Sequence, residues 1–332
     1  MKTKPKVAVI GSGYWGKNLV RNFRELGALQ LICDKNEHTL SLFKDQYPEV
    51  DVCMAYSDVL NRDDIQGVVI ATPAETHYFL AKEAILAGKN VYVEKPLVLD
   101  EKEGEELITL AKKHNRVLMV GHLLQYHPAF IRLKELVKGG ELGRINYIYS
   151  NRLNLGKIRR EENVFWSFAP HDISMILTLA GEFPDKVSAT GGCYLHQTIA
   201  DVTTTHLEFS SGLKAHIFVS WLHPFKEQKL VVVGDKKMAV FDDMKPWKEK
   251  LLVYSHEIHW DGNIPVPVKA KADCIEIIQS EPLKNECQHF LDVVSGNVVP
   301  LTNGDEGLSV LKVLSAASLS GSENKAVRLG NL

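Results

Sequence analysis

The chain has 332 residues, 45% of them hydrophobic, and sets 39 Lys and Arg against 41 Asp and Glu for a formal charge of −2. This length exceeds what one hydrophobic core normally organises and predicts two domains, while the near-neutral balance excludes a general affinity for nucleic acid and leaves room only for a local basic patch. The absence of a long apolar run predicts neither a signal peptide nor a membrane span. Cys33, Cys53, Cys193, Cys274 and Cys287 are scattered, odd in number and without a C-x-x-C, so reduced thiols, no metal site and a cytoplasmic location are expected.

In chain order, the apolar run Val7-Ala-Val-Ile10 leads into Gly11-Ser12-Gly13-Tyr14-Trp15-Gly16. Three glycines where a strand turns straight into a helix let phosphate reach backbone N–H groups and the positive helix end, which predicts a dinucleotide-binding turn. Trp15, Leu19, Phe23 and Leu26 recur at helical spacing behind it. A second apolar strand, Leu29–Cys33, ends at Asp34, about 20 residues beyond the glycines, where a carboxylate accepts from the adenosine ribose hydroxyls. Asp34 would also repel the extra phosphate of NADP, so NAD is the expected cofactor, with Lys35 the neighbour able to offset that repulsion. The lesser alternative reading of Asp34 is a strand-end turn residue.

Gly67–Ala71 is a buried-type strand closed by Thr72-Pro73, followed by a helix from His77 to Gly88. Lys89–Val93 is the next strand and ends at Glu94-Lys95-Pro96. Asp100 and Glu103 form a capping box for a helix through about Lys113, and Val117–Gly121 is one more strand. Such alternation specifies a parallel, doubly wound (Rossmann) sheet over residues 1–122, with ligands at the carboxyl ends of its strands, where Thr72, Pro73, Glu94 and Lys95 fall. Over 123–332 the pattern changes to one helix, Pro128–Lys138, and then to alternating segments at 145–150, 203–209, 213–219 and 229–234. An α+β domain with an open, largely antiparallel sheet is expected, one face covered by helices near 171–180, 282–295 and 304–320 and the other available for assembly as a homodimer or homotetramer.

These residues carry a family resemblance along essentially the whole chain: Val9-Ile-Gly-Ser-Gly, Ala71-Thr-Pro with His77, Ala87-Gly-Lys with Val91-Tyr-Val-Glu-Lys-Pro96, Tyr126-His-Pro128 and Pro170-His171-Asp172. The chain resembles the Gfo/Idh/MocA oxidoreductases. Within that family the runs Asn151–Arg159, Asn163–Asp172 and Pro282–Phe290 are similar to members acting on UDP-N-acetylhexosamines. The resemblance implies an NAD-dependent oxidation of the sugar 3-hydroxyl of UDP-N-acetylglucosamine or its uronate, for amino-sugar or lipopolysaccharide precursors. It makes Lys95 an orienting and relay group and His171 the general acid/base. Gly11 to Gly16, Asp34, Lys35, Thr72, Pro73, His77, Glu94 and Lys95 are then expected at the cofactor, and His122, Gln125, Tyr126, Arg152, Lys157, Arg159 and His171 at the substrate.

Oxidising a carbinol removes hydride from carbon and a proton from oxygen, which is why a lysine and a histidine suffice as side-chain chemistry. Two departures from the family pattern stand out. Ser167 occupies the position, four before the histidine, where many members carry aspartate, and Leu124-Gln125 replaces the usual Asn-Arg pair. The first removes a fixed charge beside His171 and predicts that it shares the proton load with Lys95. The second argues against simple transfer of inositol or free-sugar specificity. The basic residues Arg152, Lys157, Arg159 and Arg160 suit a pyrophosphate and separate the nucleotide-sugar reading from a free-sugar or inositol dehydrogenase, although the same residues also read as a solvated loop. A reading of another class, a non-catalytic dinucleotide-binding regulator, is disfavoured by the retention of Lys95 and His171.

Overall fold

A computed structural model describes residues 4–330 and divides the chain into two compact units. Unit one comprises the chain through Tyr126 together with Ser280–Leu311, and unit two comprises His127–Gln279 with the chain from Lys312 onward.

Unit one begins with β1 (Val7–Ile10), α1 (Gly16–Glu25) and β2 (Leu29–Cys33). α2 (Glu37–Gln46), β3 (Asp51–Cys53) and α3 (Tyr56–Leu60) follow, none of them anticipated, because their sparse and polar residues carry little periodicity. The signal that was available is Asn36, whose side chain accepts from Thr39 N at 3.0 Å as the cap of α2. Then come β4 (Gly67–Ile70), α4 (His77–Leu86), β5 (Asn90–Glu94), α5 (Glu101–His114) and β6 (Leu118–Gly121). The predicted cap of α5 is present, with Asp100 accepting from Lys102 N and Glu103 N. All pairings are parallel, in the order β3-β2-β1-β4-β5-β6. The order reverses between β1 and β4, and such a switch point opens a crevice at the carboxyl ends of the two strands.

Unit two opens with α6 (Pro128–Lys138), β7 (Ile145–Leu153) and α7 (Val164–Ala180). β8 (Lys186–Gly192), β9 (Val202–Glu208), β10 (Lys214–Ser220), β11 (Glu227–Gly234), β12 (Met238–Asp242) and β13 (Leu251–Tyr254) continue the sheet. A separate hairpin of β14 (Glu257–Asp261) and β15 (Ile264–Val268) precedes β16 (Ala272–Cys274). With the terminal β17 (Val327–Arg328) the sheet has nine strands, in the order β16-β13-β12-β11-β7-β10-β9-β8-β17. It is antiparallel as expected, except that β7 and β10 run parallel, Lys214 opposite Tyr147 through Ser220 opposite Leu153. Along β7 the alternation puts Ile148, Ser150 and Arg152 on the face covered by α7, and Tyr147, Tyr149 and Asn151 on the half-buried opposite face.

The remaining helices are α8 (Pro282–Val294) and α9 (Gly304–Glu323). α8 was expected on the second sheet. It belongs instead to unit one, packed on α1, where Leu283, Cys287, Phe290 and Leu291 join the core with Val7, Leu19, Phe23 and Tyr92. The amphipathic pattern was read correctly; the partner for its apolar face was not, because periodicity reports a buried face and not what buries it.

Candidate cofactor and active site

The glycine turn is built for close approach. Gly11 adopts φ +82°, and a Cβ there would meet Thr72 Cγ2 at 2.8 Å, while a Cβ on Gly16 would lie 1.9 Å from the Gly11 carbonyl oxygen. Only hydrogen fits at either place. Nothing would meet a Cβ on Gly13, which leaves that side of the turn open. The Asp34 carboxylate is fixed at the end of β2: Oδ2 accepts from Ser12 N at 2.7 Å and from Ser12 Oγ at 2.9 Å, and Oδ1 from Asn36 N at 2.9 Å. An open glycine cradle at a helix start, with a fixed carboxylate at the next strand end, fits an adenine dinucleotide. Lys35 is exposed beside it, as are Tyr14 and Pro73.

The ends of β4 and β5 are braced together by His77, which is buried, with Nδ1 2.8 Å from Pro96 O and Nε2 2.9 Å from Thr72 O. Burial holds its imidazole below the ordinary histidine range, so it carries one N–H. His77, expected at the cofactor, lies with its ring between the Thr72 and Pro96 carbonyls; its single N–H donates to one of them and the ring packs against the other, beside the strand end that carries Lys95. The Lys95–Pro96 peptide is cis, and Lys95 is half-buried at that end.

Glu94 is buried beside it. Its Oε1 accepts from the Trp15 indole N–H at 2.6 Å and from the Tyr92 hydroxyl at 3.2 Å, and Oε2 accepts from Lys95 N at 3.3 Å. Burial raises its pKa, and these donors oppose the rise. Trp15 was expected on the apolar stripe of α1. It stands one residue before the helix, 36% exposed, its indole tied to β5. His122, Gln125 and Tyr126 lie in the same unit and are all buried, His122 paired with Glu306 at 2.6 Å and the Tyr126 hydroxyl 2.9 Å from Thr302 Oγ1. Tyr126, expected at the substrate, packs in the core of this unit.

In unit two the sequence expectation for Arg152 is corrected. Arg152 is not in a loop but in β7, 8% exposed, with Nε 2.6 Å and Nη2 3.1 Å from the two oxygens of Asp172, itself 1% exposed. A bidentate buried pair spends that charge inside the protein, so Arg152 is not a free phosphate ligand. Lys157 is exposed, and Arg159 makes only a 3.1 Å surface pair with Glu162. His171, expected at the start of a helix near 171–180, sits half-buried within α7, one residue after Pro170 and one turn after the buried Ser167. α7 starts seven residues early because Asn163 caps it, accepting from Phe165 N and Trp166 N at 3.0 Å, and Pro170 lies in its interior. The contact between Asp172 and Arg152 was not anticipated, because residues 20 positions apart give no local signal of pairing.

Among the described residues no three His, Cys, Asp or Glu side chains are grouped to hold a metal, and no helix is long and apolar enough to cross a membrane.

The fold and the glycine cradle define an NAD-binding oxidoreductase class. Residues 5–122 match the model of an oxidoreductase family with an NAD-binding Rossmann fold, and residues 130–240 match the GFO/IDH/MocA C-terminal domain, so the chain belongs to the Gfo/Idh/MocA oxidoreductase family. It is 25% identical over 312 residues to UDP-N-acetylglucosamine 3-dehydrogenase of Acidithiobacillus ferrooxidans, covering 92% of this chain and 94% of that one. The solved structure of that dehydrogenase superposes with a TM-score of 0.85 at 22% identity, over 96% and 97% of the two chains. A 2,7-anhydro-N-acetylneuraminate hydratase of Mediterraneibacter gnavus is 23% identical over 366 residues, covering 98% and 96%. GenD2 from gentamicin A biosynthesis, solved in complex with NAD, has a TM-score of 0.83 at 22% identity over 99% and 97%.

Proposed function

We propose that this protein oxidises the 3-hydroxyl of a UDP-N-acetylhexosamine, UDP-N-acetylglucosamine or its uronate, to the 3-keto sugar. The observation that carries this reading is the end-to-end similarity to a UDP-N-acetylglucosamine 3-dehydrogenase. Bound NAD supplies the hydride acceptor. Gly11 to Gly16 hold its pyrophosphate and Asp34 its adenosine ribose, with Thr72 and Glu94 at the neighbouring strand ends. Lys95 orients the substrate hydroxyl and relays its proton, and His171 accepts and returns that proton as general base and acid. Lys157, exposed, and Arg159 bind the UDP pyrophosphate; the surface Arg159–Glu162 pair costs little to exchange for phosphate. The half-buried aromatic face of the second sheet, where Tyr149 stacks on His216 at 5.2 Å, supports assembly as a homodimer or homotetramer.

The test is a scan of UDP-sugars, free sugars and inositols for NAD reduction, with products identified by mass spectrometry. A keto sugar formed only from UDP-N-acetylhexosamines supports the reading, and reduction by free sugars or inositols alone sinks it. Replacing Lys157 or Arg159 with alanine should raise KM for the UDP-sugar by about 10- to 100-fold, the loss of one charge-assisted hydrogen bond, with NAD affinity unchanged.

A further inference from the structure

Unit one holds a titratable side chain for which neither the cofactor cradle nor the proton chemistry accounts. Glu286 on α8 is 0% exposed, and neither of its carboxyl oxygens has a hydrogen-bond partner among the described residues. One helical turn on, Phe290 sets its ring edge-on to Tyr92, centroids 5.8 Å apart, so this face of α8 looks onto β5. The titratable groups facing Glu286 are Tyr92 and Glu94 of β5 and Glu306 of α9, the last already paired with His122; Cys287 adjoins it on its own helix and Tyr126 faces it from the short helical turn before α6. No lysine or arginine is among them. The Tyr92 hydroxyl is close to both carboxyls and gives its hydrogen bond to Glu94.

The two carboxyls differ sharply in what surrounds them. Glu94 accepts three hydrogen bonds, from Trp15 Nε1, Tyr92 Oη and Lys95 N. Glu286 accepts none. Two carboxyls that share a buried site cannot both ionise, and the proton resides on the one whose anion is not solvated by donors. The anion that remains is the one tied to Trp15, the residue between Tyr14 and Gly16 of the phosphate-binding turn.

We propose that Glu286 is a positioning residue for the cofactor: it carries the single proton of a buried pair with Glu94, so that Glu94 stays a carboxylate and fixes the Trp15 indole at the glycine turn. When Glu286 loses that proton at alkaline pH, the second negative charge disfavours the Glu94 carboxylate and releases Trp15, and the turn loses its brace. Glu286 touches neither the cofactor nor the reacting atoms and acts through Glu94.

Two measurements on the full-length protein test this, and neither requires a substrate. The first is the affinity for NAD, by calorimetry, from neutral to alkaline pH. Wild type should weaken by about tenfold across that range as the pair takes on its second charge, whereas Glu286→Gln, permanently neutral, should weaken by less than about threefold. The same loss in both proteins overturns the proposal. The second is the infrared C=O stretch of a protonated carboxylic acid, read at slightly alkaline pH, where exposed carboxyls are ionised. Wild type should show the band, Glu286→Gln should lack it, and in Glu94→Gln, with the like charge removed, it should titrate away at lower pH. A wild type without the band, or a band that titrates identically in Glu94→Gln, overturns the proposal even if the Glu286 variant does not fold.

Discussion

At the scale of single residues, the preference for NAD that we propose rests on Asp34. Its carboxylate is held by two bonds from Ser12 and one from Asn36, so it cannot swing away from a phosphate placed on the adenosine ribose. Two unit charges about 4 Å apart repel by roughly 4 kcal/mol at an effective dielectric near 20. The exposed Lys35 offsets part of this, and NAD should bind more tightly than NADP by about two to three orders of magnitude in calorimetry, a preference that Asp34→Ser should largely erase. His171 carries a second prediction. Ser167, one turn before it, supplies no charge to stabilise an imidazolium, and on the mechanism we propose His171 shares the proton load with Lys95. His171→Asn should lower kcat by about 10²- to 10⁴-fold with NAD affinity retained. The double variant with Lys95→Ala should be little worse than the poorer single variant, because both act on one proton. Additive losses in steady-state kinetics would separate their roles.

At the scale of elements, β7 and α7 are joined by the Arg152–Asp172 pair, with the Ser150 hydroxyl on the same carboxylate. Removing one partner strands the other charge in the interior, so Asp172→Asn should destabilise the protein by about 3–5 kcal/mol in denaturant unfolding. Replacing both partners with apolar residues of similar volume should cost much less, because the desolvation penalty leaves with the charges. The residues themselves were visible in the sequence, Arg152 in a basic run and Asp172 beside the histidine. Their pairing was not, since strand and helix bring together positions 20 apart that no local periodicity connects. The opposite holds for the glycine turn, where strand, glycines, helix and Asp34 are contiguous and the whole apparatus was legible.

Across the whole molecule, stability should depend on pH through the buried carboxyls. Burial, and then the neighbouring Glu94, hold Glu286 well above the usual carboxyl range, and burial also raises Glu94. A raised carboxyl contributes stability that is complete below its unfolded pKa, near 4.3, and is lost as pH rises toward its folded pKa. The loss from one such group approaches about 1.4 kcal/mol per pH unit over that interval. Glu286→Gln should therefore gain on wild type as pH rises from about 5 to 8, and thermal unfolding midpoints measured in parallel should diverge; parallel curves would refute this. His77 acts in the other direction. Burial lowers its pKa, so its contribution is lost as pH falls through the ordinary histidine range.

By itself the sequence determined the alternation of strands and helices in the Rossmann unit apart from α2, β3 and α3, together with the glycine turn and the family, because these rest on spacings within a few tens of residues: glycines at a strand end, an acid at the next one, a lysine before a proline. Tertiary structure alone decided the rest. It sent α8 to the core of unit one rather than to the second sheet, turned Arg152 from an apparent phosphate ligand into the buried partner of Asp172, made His77 a brace between two strand ends, and set Glu286 without a donor beside Glu94. Each of these depends on which side chains meet across long stretches of chain. A residue type announces that it needs a partner when buried, but only the folded chain specifies which partner, and whether there is one, and that choice sets its charge.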